Sequence, residues 1–145
     1  LRFLSSETAE MLYDRETKLW CEGPMAVETA FLEEELEKAD CSPKLTITFA
    51  IALEELFANV AHYAYPDSKG TVKIGIDTTG GVVTIRLIDT GIPFDPLAKP
   101  DPDITESAEK REIGGLGIYI VKKSMDSVEY EYRDKQNILT IKKRM

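Results

Sequence analysis

Cysteine and histidine are nearly absent from this chain of 145 residues, which holds two cysteines, Cys21 and Cys41, and a single histidine, His62. The cysteines lie far apart with no Cys-x-x-Cys spacing, so neither a zinc site nor a redox motif is indicated, and both are expected to be reduced thiols. One histidine excludes a multi-histidine metal centre and leaves no Ser-His pair to be built elsewhere in the chain. Long apolar runs are missing too: none approaches the roughly 18 residues of a membrane span. The opening segment LRFLSSETAE reads as neither signal nor transit peptide, and a cytoplasmic location is the resulting expectation. Basic excess is the last absence. With 18 Lys+Arg against 26 Asp+Glu the net charge is −8, and binding to nucleic acid phosphates rests largely on Lys and Arg. Nucleic acid is therefore not an expected partner.

What is present is ordinary globular composition, 43% hydrophobic and 30% charged, enough for one domain with a proper core. The acidity is unevenly spread: residues 1–60 carry 13 acids and 5 bases, whereas residues 61–145 carry 13 of each.

Gly23-Pro24 breaks the chain and starts a helix, because Pro suits the first helical position. Residues 25–39 continue as strong helix formers crowded with Glu33, Glu34, Glu35 and Glu37. Ser42-Pro43 opens a second helix over 43–64, in which Leu45, Phe49, Leu53, Leu56 and Val60 form a core-facing stripe. After Pro66-Asp67 the period changes to two. Val72, Ile74 and Ile76 alternate with polar or small residues, and beyond the turn Thr78-Thr79-Gly80-Gly81 a strand over 82–88, VVTIRLI, is apolar on both faces except at Arg86 and is expected to be central. Residues 89–114 are rich in Pro, Gly and Asp without periodicity, and a loop of that length in a compact domain is more often functional than structural. A short helix, LGIYIVKKSMD, follows, and then a hairpin in which Val128, Tyr130 and Tyr132 alternate before a turn near residues 135–137. The order predicts an α+β two-layer sandwich with helices on one face of a mixed, mostly antiparallel sheet. Residues 1–22 form an extension or edge element, helical around TAEMLYDRE or a strand at KLWCE, and residues 23–145 the domain.

Three clusters could carry chemistry. Thr48, Ile51, Glu55, Asn59 and His62 fall within about 80° on the second helix, beside the core stripe. A Glu/Asn pair on adjacent turns is ordinary for an exposed helix face, but it also suits a site that orients a hydroxyl and holds a hydrated magnesium ion. Asp89-Thr90-Gly91 leaves the central strand. It is either a plain turn or a carboxylate placed to accept from an exocyclic amine, with a glycine that lets backbone approach a flat ring. Gly114-Gly115-Leu116-Gly117 opens the third helix, where free amides and the helix dipole favour phosphate oxygens. The Gly-x-Gly-x-x-Gly of a dinucleotide fold and the Gly-Lys-Ser/Thr of a P-loop are both absent.

In their fixed order, EELFANVAHYAYPD, LIDTGIPFDP and GGLGIYIVKKSMDSVEYEY resemble the three boxes of the ATP-binding domain shared by gyrase, chaperone, histidine-kinase and MutL proteins. The closer resemblance is to its bacterial anti-sigma-factor serine kinase branch, the RsbW and SpoIIAB type, and it spans roughly residues 25–145. The resemblance implies a Bergerat-type fold, ATP and magnesium as ligands, and a sigma factor and a small antagonist protein as partners of a homodimer. It implies Glu55 as general base, Asn59 as magnesium ligand, Asp89 on the adenine amino group and Gly91 against the ring. Gly115, Leu116 and Gly117 would give backbone contacts to the phosphates, Thr140 would lie near adenine, and residues 96–113 would form a lid. Two positions depart from the family pattern. Tyr63 stands four residues after Asn59 where a histidine is frequent, with His62 one before it, and Ile113 stands where some members have an arginine, with Lys110 and Arg111 upstream. The activity implied is phosphorylation of a serine on the antagonist, coupled to sequestration of a sigma factor; the alternatives are an ATP-gated binding module without turnover and the detached ATPase half of a histidine kinase. The Glu33–Glu37 run is a solvated helix face or a docking surface for a basic partner.

Overall fold

The computed structural model describes residues 2–3, 13–14, 19–20, 24–65, 72–98, 100 and 116–145. Helix α1 (Pro24–Lys38) begins on its proline. It buries Leu32 and Leu36 completely, one turn apart, while Glu33, Glu34 and Glu37 are exposed. Glu35 is 8% exposed, so the acidic run is not one solvated face. Lys38 lies 3.1 Å from Glu34 and 3.4 Å from Glu35, and hydrogen bonding to Glu34 first, then to Glu35, raises its ammonium pKa above the ordinary lysine value. The chain turns at Asp40 (φ 58°), and Ser42 caps α2 (Pro43–Asn59) by accepting from the Leu45 amide at 3.2 Å, the expected service of an N-cap serine before proline.

The second helix covers the predicted span in two geometries, α-helical to Asn59 and then a π-helical turn over Val60–Ala64. By length and composition alone Pro43–Ala64 is apolar enough to cross a membrane. In the fold its Phe49, Ala52, Leu53, Leu56 and Phe57 are buried against the sheet, and Leu45 and Val60 pack on the same cluster, the stripe that the spacing predicted. Cys41 is a half-buried free thiol; Cys21 lies outside the described residues.

Strands β4 (Val72–Asp77) and β5 (Val82–Asp89) form a hairpin whose turn holds Gly80 and Gly81 at φ 70° and 74°, a backbone region that glycine enters without steric cost. Helix α3 (Leu116–Ser124) leads to β6 (Ser127–Arg133) and β7 (Gln136–Arg144). Their turn falls on Asp134 and Lys135, both at positive φ, as a two-residue primed turn requires, so it lies slightly ahead of the predicted 135–137. With β1 (Arg2–Phe3) on its edge the sheet runs β1-β4-β5-β7-β6, and every described pairing is antiparallel.

β5 is central, as expected. Val83, Ile85, Leu87 and Asp89 are buried beneath the helices, while Val82, Thr84, Arg86 and Ile88 on the other face are half-buried. The pairing sets Asp89 opposite Asn137 and Arg86 opposite Thr140. Near the N-terminus, β3 (Leu19–Trp20) pairs with β2 (Tyr13–Asp14) rather than with the main sheet. The strand alternative at KLWCE is the one Leu19 and Trp20 adopt. Most of the TAEMLYDRE segment, and residues 101–115 of the long loop, lie outside the described residues.

Candidate functional site

Glu55 and Asn59 stand one turn apart on α2. The C-terminal end of α2 reaches the end of β5, where the Ile92 amide donates to the Ala64 carbonyl at 2.9 Å. α3 instead runs toward the opposite end of the sheet, since β6 begins there with Ser127 opposite Lys142. The two helices are thus antiparallel, and the first turn of α3 lies beside Glu55. Contact there is close: a Cβ added at Gly117 would overlap Oε2 of Glu55 and sit 3.3 Å from its Cδ. Glycine lets α3 approach without displacing this carboxylate, and the carboxylate meets the positive end of the helix dipole.

The second half of the site is a buried hydrogen-bonded cluster at the end of β5. Asp89 is 4% exposed. Its Oδ1 accepts from the Gly91 amide at 2.9 Å and from Nδ2 of Asn137 at 2.9 Å. Asn137 also donates to the Ile92 carbonyl at 2.9 Å, and its Oδ1 accepts from the Phe94 amide at 3.1 Å and from the Tyr130 hydroxyl. Burial pushes the Asp89 carboxyl pKa above the ordinary value, and the bonds from Asn137 and Gly91 partly offset that. The Tyr130 phenol is likewise raised, by burial. Among the described residues Oδ2 of Asp89 has no hydrogen-bond partner.

The loop after β5 is seated on the π-turn. A Cβ at Gly91 would come 2.7 Å from Cβ of Ala64 and 2.8 Å from its carbonyl carbon, so the glycine is required by approach of the helix end. Tyr63 stacks on Phe94 with ring centroids 4.4 Å apart and planes 13° from parallel. The Thr90 amide donates to the Tyr65 hydroxyl at 3.0 Å. π-turns inside helices recur at functional sites because they re-aim side chains without ending the helix, and here the turn brings Ala64, Tyr63 and Tyr65 onto one loop.

Between the two halves lies a cleft lined by Leu56, Asn59, Val60, Ala64, Asp89, Phe94, Pro96, Tyr130, Asn137 and Leu139. Apolar walls separate the Asn59 amide from the Asp89 carboxylate, a shape suited to a flat ring that presents a donor edge to Asp89. Among the described residues that line it none is cationic. Among the described residues there is no group of three or more His, Cys, Asp or Glu able to hold a metal ion; a divalent cation here would rely on Asn59, on water and on oxygens of the ligand.

The structure therefore brings Asn59 and Asp89 to one cleft, with Gly91 bonded to Asp89 behind it and Glu55 and Gly117 close to each other beside it. Leu116 opens α3, and Gly115 lies outside the described residues. Thr140 is not brought in. It sits on the opposite face of β7 from Asn137 and Leu139, where its hydroxyl accepts from Nε of Arg86 at 3.4 Å, because successive strand residues alternate faces. The strand residue that reaches Asp89 is Asn137. Sequence reasoning missed it along with Tyr130 and Phe94; an antiparallel register between residues 82–89 and the last strand would have paired Asn137 with Asp89.

This geometry is that of a nucleotide-type cleft between a helical layer and an antiparallel sheet. The chain belongs to the histidine kinase-like ATPase domain family, whose model matches residues 25–143. It is similar to the serine/threonine-protein kinase BtrW of Bordetella bronchiseptica, 25% identical over 101 residues that cover 69% of this chain and 71% of that protein. It is also similar to the serine-protein kinase RsbW of Bacillus cereus, 27% identical over 96 residues that cover 63% of this chain and 60% of that protein. The match thus spans less than two thirds of that Bacillus relative. The solved structure of the Acinetobacter baumannii histidine kinase AdeS aligns with a TM-score of 0.49 at 17% identity, over 100% of this chain and 68% of that one.

Proposed function

We propose that this chain is an ATP- and magnesium-dependent protein serine kinase that phosphorylates a small antagonist protein and holds a sigma factor, acting in the cytoplasm as a homodimer. The observation that carries the reading is the placement of Asn59 and Asp89 along one apolar cleft, with Glu55 a turn away from Asn59 against the start of α3. The names of the two kinase relatives support the reaction class.

In this reading Asp89 accepts from the adenine amino group, and the apolar lining, with Leu56, Val60 and Leu139, flanks the ring. Asn59 would hold the magnesium ion through its amide oxygen, and the ion would offset phosphate charge in a cleft whose described lining holds no cation. The start of α3 receives the phosphate oxygens, as helix N-termini do. Glu55 takes the proton of the serine hydroxyl, whose oxygen bonds to the γ-phosphorus as the bond to the bridging oxygen breaks and ADP leaves. Residues 96–113 would close over the nucleotide.

A second reading, an ATP-gated binding module without turnover, is favoured by one observation. No lysine or arginine lines the cleft among the described residues, and charge stabilisation of the transferring phosphoryl group depends on such groups or on metal.

The test is transfer of labelled phosphate from ATP to a small antagonist protein that co-purifies with this chain. Glu55→Gln is expected to abolish transfer with ATP affinity within about threefold of wild type, whereas Asn59→Ala loses the magnesium-dependent part of ATP binding in calorimetry. Unchanged transfer by Glu55→Gln sinks the kinase assignment, and tight ATP binding with no transfer by the wild type selects the gated module.

A further inference from the structure

Asn137 is 4% exposed and uses both ends of its amide. Its neighbours fix which end is which. The Phe94 amide and the Tyr130 hydroxyl meet the oxygen, and the Asp89 carboxylate and Ile92 carbonyl meet the nitrogen. A flipped amide would set donor against donor at Phe94 and acceptor against acceptor at Asp89 and Ile92. The side chain therefore has one orientation, locked from the loop, from β6 and from β5 together.

The consequence falls on Asp89. Its Oδ1 is occupied by two donors, Gly91 N–H and Asn137 Nδ2–H, and these hold the carboxylate at a fixed rotation. Gly91 alone would not, because a single backbone donor two residues away can be met by either oxygen. Oδ2 is left as the open acceptor of a residue that lines the cleft.

We propose that Asn137 is the positioning residue for base selection: by fixing the rotation of Asp89 it commits one carboxylate oxygen to the cleft, and discrimination for a purine bearing an exocyclic amine depends on it. This rests on the reading that adenine meets Asp89, and it assigns a task to a residue outside the three family boxes.

The experiment compares calorimetric affinities, with magnesium, for ATP and for purine riboside triphosphate, which lacks the 6-amino group. The wild type is expected to prefer ATP by about tenfold or more, the worth of a hydrogen bond to a charged group. In Asn137→Leu that preference should collapse to within about twofold, while a merely structural role would weaken both ligands equally and leave the ratio intact. Tyr130→Phe keeps the Asn137–Asp89 bond and is expected to retain the preference.

If circular dichroism shows that Asn137→Leu does not fold, Asn137→Asp, the same shape, decides. Its carboxyl can donate to Asp89 only while the pair shares a proton, so its preference for ATP should fall with rising pH, whereas that of the wild type, whose Asp89 accepts as a carboxylate, does not fall. The other titratable groups around Asp89 are Tyr130 on β6, raised by burial, and Asp95 in the loop. An unchanged ratio in Asn137→Leu, or in Asn137→Asp at every pH, overturns the proposal. A wild type indifferent to the amino group overturns the adenine reading itself, a separate result.

Discussion

The two ends of the cleft are built on opposite terms. At the Asp89 end Asn137 answers most of the polar groups around it: the loop amide of Phe94, the Ile92 carbonyl, the Tyr130 hydroxyl and one oxygen of Asp89. At the Glu55 end two side chains stand on consecutive turns of one helix, half-buried, with α3 admitted beside them by the absence of a side chain on Gly117. The first arrangement is fixed by groups from four segments, so removing one partner orphans several buried groups. The second is set by helix periodicity and one close contact, so its members can move with little cost to the fold. On the proposed reading, a site that recognises a rigid ring and also handles a flexible, highly charged chain is well served by one stiff end and one yielding end.

The largest effect should come from breaking the stiff end. Asn137→Leu leaves the Phe94 amide, the Tyr130 hydroxyl and the Ile92 carbonyl without their partner, and a loss of about 2–4 kcal/mol of stability is expected in urea unfolding. Gly91→Val ranks next. Its new side chain meets backbone atoms of Ala64 that cannot rotate away, and overpacking of that kind costs about 1–3 kcal/mol.

Gly117→Ala is the contrasting substitution at the yielding end. The added Cβ meets only the far end of the Glu55 side chain, and alanine is the better helix former by about 1 kcal/mol. Stability should change by less than about 1 kcal/mol in either direction, while phosphoryl transfer falls because Glu55 is displaced. Equal stability losses for Gly91→Val and Gly117→Ala would erase the comparison.

The smallest effect concerns the charge itself. Burial raises the folded-state pKa of Asp89 above its ordinary value, so between those two values the native state binds more protons than the unfolded one, and this group's contribution to stability falls as pH rises through that window. Asp89→Asn, which keeps an oxygen for Gly91 and Asn137, is expected to be at least as stable as wild type at pH 7, with the difference shrinking as pH is lowered toward the ordinary carboxylate value. Chemical denaturation across pH 4–8 measures it. ATP binding should nevertheless be lost, which would identify Asp89 as a charge kept for recognition rather than for the fold.

Much of the architecture was legible beforehand because it rests on local periodicity. The four-and-three spacing from Leu45 to Val60 placed the core helix, alternation over 72–77 and the apolar run 82–88 placed a hairpin with a central strand, and the order of elements gave the layered class. Glu55 and Asn59 share a helix face by arithmetic alone. The long-range part was not legible. Thr140 and Asn137 are three residues apart on one strand and therefore face opposite sides of the sheet, a distinction that depends on register and on which face the helices cover. Likewise the π-turn at 60–64 has no signature in composition, although it seats Gly91.

By itself, then, the chain's order of side chains determined which residues were chemically suited to a nucleotide site and which secondary structures carried them, because helix and strand repeats are local properties. Tertiary structure decided the partners: that α3 comes to Glu55, that the loop after β5 locks onto the end of α2, and that the amide answering Asp89 is Asn137. Those contacts join residues up to 62 positions apart, Glu55 and Gly117, and only the antiparallel pairing of β5 with β7 and the packing of both helices on one sheet face bring them within reach.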